Sequence, residues 1–163
     1  MGKLWILFLI TASVLFGCAA PADPAAAASS RLGIDLSGCP VLESSDSHGG
    51  FLGDGTTYLR FRMADAPEAL EQITSGWKKL PLTENLAAAV YGFSTDEYTR
   101  QSLLRDETGA VLLPEVTNGY YWFYDRQGET HDDSALISRP SCNFTLAIYD
   151  VDTGILHYVE LDT

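Results

Sequence analysis

The sequence predicts an α+β domain, an antiparallel sheet with about two short helices packed on one side. Three observations predict it. Residues 56–63, TTYLRFRM, alternate in the two-residue period of a half-buried strand. Residues 65–77 place Ala66, Leu70, Ile73 and Trp77 at helical spacing. The C-terminal third holds apolar and aromatic runs joined by turn residues, with no β-α-β alternation, so a parallel nucleotide-binding sheet is not expected. Layering helices on a sheet lets each element bury its one apolar face.

In chain order, residues 1–17 come first. Lys3 precedes a run from Leu4 to Phe16 that is apolar apart from Thr11 and Ser13. That is the pattern of a signal peptide, and it is short of the roughly 20 residues a membrane span requires. Residues 18–31 begin at Cys18 and continue AAPADPAAAASS, an Ala/Pro/Ser composition that reads as a tether. The four consecutive alanines favour helix, but so short a segment without an apolar stripe is marginal alone. Residues 32–163 then form a single globular domain, long enough to bury a proper core.

Within that domain, Thr57, Leu59, Phe61 and Met63 share one strand face, while Tyr58, Arg60 and Arg62 share the other. The arginines are expected to be solvated or paired. Asp65 with Glu68 resembles a capping box, Pro67 suits a first turn, and Gly76 is a plausible stop. Thr83 can cap ENLAAAVY, with Gly92 ending it. Residues 93–113 offer two readings: a hairpin around Asp-Glu-Thr-Gly in LLRDETGAVLL, or a helix from Asp96 to Arg105. NGYYWFYD reads as a strand after an Asn-Gly turn, and NFTLAIYD with ILHYVEL reads as a hairpin across Val-Asp-Thr-Gly. Phe144, Leu146 and Ile148 share one face of it.

Charge narrows the partners. With 22 acidic against 10 basic residues, the formal net charge is −12. Such acidity argues against nucleic acid as a partner, because its phosphates would be repelled. Anionic headgroups are disfavoured too, so any membrane link must be a lipid, while cationic partners would be attracted.

Setting Cys18 aside, Cys39 and Cys142 are an even pair in an exported chain and form a candidate disulfide. Closing a loop of roughly 100 residues would contribute up to about 4.7 kcal/mol. Two buried thiols are the alternative, and no Cys/His spacing suggests zinc.

The stretch DSHGGFLGDG, residues 46–55, carries the densest set of chemistry-bearing types. Asp46, His48 and Asp54 are residues that ligate divalent metal ions, Glu43 could add a fourth oxygen, and glycine lets backbone approach an ion. The spacing matches neither HExxH nor a calcium loop. The competing reading is a glycine bend into the following strand, with Asp46 capping backbone amides. His131 lies in a polar segment that reads as a solvated loop, and His157 reads as a packed strand residue. There is no GxSxG elbow and no phosphate-binding glycine motif. Among the aromatics, Tyr120, Trp122 and Tyr124 face one way and Tyr121 with Phe123 the other. The first set is a candidate binding face for a sugar or a cationic peptide, with cross-strand core packing as its competitor.

Two resemblances stand beside these readings. Leu15-Phe16-Gly17-Cys18 resembles the lipobox of bacterial lipoprotein precursors, which implies cleavage after Gly17 and a lipid on Cys18. DSHGGFLGDGTTYL, WKKLPL, NGYYWFYDR, and NFTLAIYD with HYVELDT together resemble a family of small uncharacterised proteins of Gram-positive bacteria, over residues 33–163. That family has no assigned activity, so the resemblance supports the domain extent alone.

The expectation is a lipid-anchored, non-enzymatic binding or interaction module on the extracytoplasmic face of the membrane, its partner a cationic peptide, a sugar or a surface protein. Two alternatives are a small metal-dependent hydrolase built on Asp46, His48 and Asp54, and an immunity-type lipoprotein that sequesters a cationic toxin. The sequence leaves the oligomeric state open.

Overall fold

The structure is a computed structural model, and it describes residues 23–49 and 53–163. The signal peptide, Cys18 and the first residues of the tether lie outside the described residues. So do Gly50, Phe51 and Leu52, within the glycine-rich stretch.

The described chain opens with a helix, α1, Pro24–Leu32. This corrects the tether reading for residues 24–31. Asp23 accepts the Ala25 N–H at 3.0 Å, and Gly33 ends the helix in the left-handed region by donating to the Ser29 carbonyl. Ala25, Ala28 and Leu32 recur at helical spacing and are buried, so a stripe made mostly of methyl groups docks α1 on the sheet. An Arg31–Glu160 ion pair at 2.9 Å ties its end down.

The strands are β1 (Val41–Asp46), β2 (Gly55–Arg62), β3 (Lys78–Lys79), β4 (Phe93–Ser94), β5 (Thr99–Arg100), β6 (Gly119–Asp125), β7 (Phe144–Asp150) and β8 (Ile155–Asp162). Helix α2 is Pro67–Gly76 and α3 is Glu84–Tyr91. Six strands form one sheet in the order β1-β2-β8-β7-β6-β3, every pairing antiparallel, while β4 and β5 make a small separate hairpin. The expected α+β class and antiparallel sheet are therefore present. Among the described residues no helix is long and apolar enough to cross a membrane.

The sheet is covered on both faces. Leu59, Phe61 and Met63 of the β2 end, with Leu156 and Tyr158, pack under α1 and α2. Tyr121, Phe123, Phe144, Leu146 and Ile148 pack on the other face against α3 and irregular chain around Leu104, Leu113 and Leu136. The two expected helices thus lie on opposite faces, and α1 joins α2. Strand β7 shows why: all of Phe144–Tyr149 are buried, the Thr145-Ala147-Tyr149 face as fully as the alternate one.

The local signals largely hold. Thr83 caps α3 by accepting the Leu86 N–H at 3.3 Å, and Gly92 follows it. Helix α2 starts later than the capping-box pattern implied: Ala66 is its N-cap, with no side-chain cap, and Asp65 stands one residue too early. Residues 93–113 contain no α-helix. Asp106 instead accepts the Thr108 and Ala110 N–H groups at 2.9 Å each, and an Arg105–Val111 bridge closes a hairpin turn.

No disulfide joins Cys39 and Cys142. Both are free and buried, Cys39 in the core under α1 and α2 and Cys142 in the core on the α3 face. The sheet stands between them, and burial raises both thiol pKa values, keeping them protonated and inert.

Candidate functional site

The first residues of the glycine-rich stretch form a clasp with the end of β8. Leaving β1, His48 sits between two carboxylates: Nδ1 is 2.6 Å from Asp46 Oδ1, and Nε2 is 3.1 Å from Asp162 Oδ2 at the end of β8. Arg126 donates to Asp162 at 3.0 Å and to the Leu161 carbonyl at 2.9 Å, extending the network to the end of β6. Partial burial disfavours a charged ring, but the hydrogen bonds and charges of both carboxylates outweigh it and hold the imidazole above its ordinary 6.5. The His48 N–H and ring in turn hold Asp46 below 3.8.

In this arrangement two of the expected ligands, Asp46 and His48, are engaged with each other. Both ring nitrogens are engaged, so the imidazole offers no free lone pair to an ion. Among the described residues no group of three or more His, Cys, Asp or Glu could hold one, and Asp46, His48 and Asp54 do not assemble. The glycines answer to geometry instead. Gly53 has φ +73°, and a Cβ on Gly55 would stand 2.5 Å from the His48 backbone.

The aromatic block divides between the two faces. Tyr121 and Phe123 are buried in the α3-side core. Trp122 and Tyr124 stack with centroids 6.0 Å apart, and His131 lies 5.4 and 5.1 Å from them, its Nδ1 2.6 Å from the Phe123 carbonyl. With Ala27, Ser30, Arg31 and Glu160 these three line a shallow cleft of about 530 Å³. Tyr120 does not line it: that side chain packs on the core beneath α2. His131 lies exposed in a bend after β6, as the solvated-loop reading expected, and also lines this cleft.

A larger cleft, about 810 Å³, opens on the α3 side of β1 and β2. Strand alternation sends Tyr58 and Arg60 of β2 to that face, with His157 of β8 and Glu43 and Ser45 of β1. The 105–114 turn forms the opposite wall, acidic at Asp106 and Glu107 and apolar at Val111, Leu112 and Pro114. On the floor, Tyr58 Oη lies 3.0 Å from His157 Nδ1 with the rings nearly parallel. Burial, then the nearby Arg60 charge, drops His157 to about 4, and burial pushes Tyr58 up to about 12. The pair is neutral at pH 7, a packed and hydrogen-bonded histidine as the strand pattern implied.

Charge on the walls is unbalanced. Glu43, Asp46, Asp106 and Glu107 face two guanidiniums, Arg60 and Arg105. Both are occupied: Arg60 pairs with Glu43 at 2.9 Å, and Arg105 donates to the Gly109 carbonyl within its own turn. The alternation of residues 56–63 exposed the Tyr58-Arg60 face to sequence reasoning, but nothing in the sequence linked it to residues 105–114. Comparison with family models, with curated proteins and with solved structures finds no match to this chain.

Proposed function

We propose that this chain is a lipid-anchored, extracytoplasmic binding module that holds a cationic ligand in the cleft between β2 and the 105–114 turn. The observation that carries the reading is the wall charge: Arg60 is paired with Glu43, Arg105 is engaged within its own turn and Asp46 is held by His48, which leaves Asp106 and Glu107 as the acidic wall facing the cleft. Val111, Leu112 and Pro114 give the hydrocarbon stem of a lysine or arginine an apolar wall. The net charge of −12 draws cations toward the whole surface. A lipid on Cys18 would hold so acidic a domain at an anionic membrane that its own surface would not bind. Sequestration of a cationic toxin is a specialised form of the same activity. The Trp122-Tyr124-His131 cleft supports a second reading, a sugar stacked on the aromatic faces with Arg31 and Glu160 at its hydroxyls.

Two substitutions of opposite sign test the first reading. Glu43→Gln frees the Arg60 guanidinium inside the cleft, and Arg60→Gln removes it. With a lysine-rich peptide titrated calorimetrically, the first should weaken binding and the second tighten it. Each change should be about 5- to 10-fold, on the order of 1–1.4 kcal/mol. Both effects should shrink with added salt. Two variants that shift affinity in the same direction, or not at all, would contradict the assignment of the cleft.

A further inference from the structure

We propose that the cationic ligand is an extended basic peptide segment that adds to the sheet as a seventh strand, pairing with the free edge of β1. The proposal rests on the reading of the cleft as a cation site and names both the ligand and its mode of attachment.

Strand β1 is an edge of the six-stranded sheet, and all six of its residues are exposed. From Glu43 onward its inner side pairs with β2, after a bulge that leaves Leu42 without a partner there: Ser45 stands opposite Tyr58, and the Ser47 N–H just beyond the strand donates to the Thr56 carbonyl at 3.0 Å. In an antiparallel pair the alternate residues turn their amides the other way, so Ser44 and Asp46 present N–H and C=O groups outward. Exposed edges are commonly guarded by lysine, proline or very short length. The opposite edge, β3, has two residues, and both are lysine. Strand β1 has six, VLESSD, with Pro40 ahead of it and no basic residue within it. Its charges, Glu43 and Asp46, repel acidic strands and leave basic ones welcome.

Register joins this edge to the cleft. Glu43 and Ser45 project on the face of Tyr58 and Arg60, so every second side chain of an added strand would project there too. Lysine or arginine at those positions would reach the carboxylates of Asp106 and Glu107 across the cleft mouth. Backbone pairing supplies affinity without sequence demands, and the alternate basic side chains supply selectivity. A second copy of this chain offers the wrong charge, because β1 against β1 would bring Glu43 and Asp46 toward their equivalents.

The test uses the full chain in detergent and a synthetic peptide alternating lysine with threonine, beside the same peptide N-methylated on the amides of its outward-pairing positions. Ser44→Pro removes one outward N–H while leaving the pairs to β2 intact, since proline is tolerated on an edge. Methylation and Ser44→Pro should each weaken binding at least about 10-fold, with the melting temperature of Ser44→Pro close to that of the parent. Equal binding of both peptides, while Glu43→Gln and Arg60→Gln still shift affinity oppositely, would overturn strand addition and leave the cation cleft standing. Loss of a pre-existing dimer in Ser44→Pro without peptide would overturn the proposal in favour of a second copy. Absence of binding by either peptide at low salt would overturn the cleft reading as well.

Discussion

His48 spans Asp46 and Asp162, so the bend after β1 is held most firmly when its ring carries a proton. Its folded pKa is raised, so its contribution is complete below the unfolded value of 6.5 and is lost as pH rises through the folded value. Asp46 is lowered, so its share is present above 3.8 and is lost in acid. The clasp is therefore strongest between those limits. His48→Gln should melt below the parent by about 2–4 °C near pH 5.5, in keeping with roughly 1 kcal/mol for a partly exposed pair. The two should nearly coincide near pH 9. A deficit of the same size at both pH values would show that His48 acts by packing rather than by charge. The residue types in DSHGGFLGDG suggested either ligands or a bend, and neither reading included Asp162, far away in sequence, which lies at the second ring nitrogen. No local pattern could have supplied that partner.

At the scale of elements, helix α1 departs furthest from what the sequence suggested. Alanines are ambiguous: they favour helix by propensity, yet a stripe of Ala25 and Ala28 carries little hydrophobic signal. Contact with the sheet turns that stripe into a docking surface, since small side chains permit close approach. Leu32, at the end of the stripe and buried, completes it. Leu32→Ala should destabilise the protein by about 2–3 kcal/mol, read from the urea midpoint at unchanged slope. A tether would tolerate the change, and an unaltered midpoint would refute the packed helix. Elements with a strong period of their own were legible. The β2 alternation, the α2 stripe from Ala66 to Trp77 and the Thr83 cap all reappear. Boundaries and faces were less so, because β7 is buried on both sides and its face of Thr145, Ala147 and Tyr149 looked merely mixed in sequence.

Across the whole molecule, the class was readable, and so was the β7–β8 hairpin, because that pairing is local in sequence. The strand order was not, since β8 inserts between β2 and β7, and β1 is left at the rim. That topology leaves β1 with no strand on its outer side among the described residues, and the cleft opens beside it. The separation of Cys39 from Cys142 has the same origin, for it depends on which face of the sheet each loop crosses. The most direct measurement of the central claim is an amide chemical-shift map of the isotope-labelled protein titrated with the lysine–threonine peptide. The largest changes should fall on Ser44 and Asp46, on Tyr58 and Arg60, and along the turn from Asp106 to Leu112. Changes centred on Trp122, Tyr124 and His131 would place the ligand in the aromatic cleft instead and contradict the account.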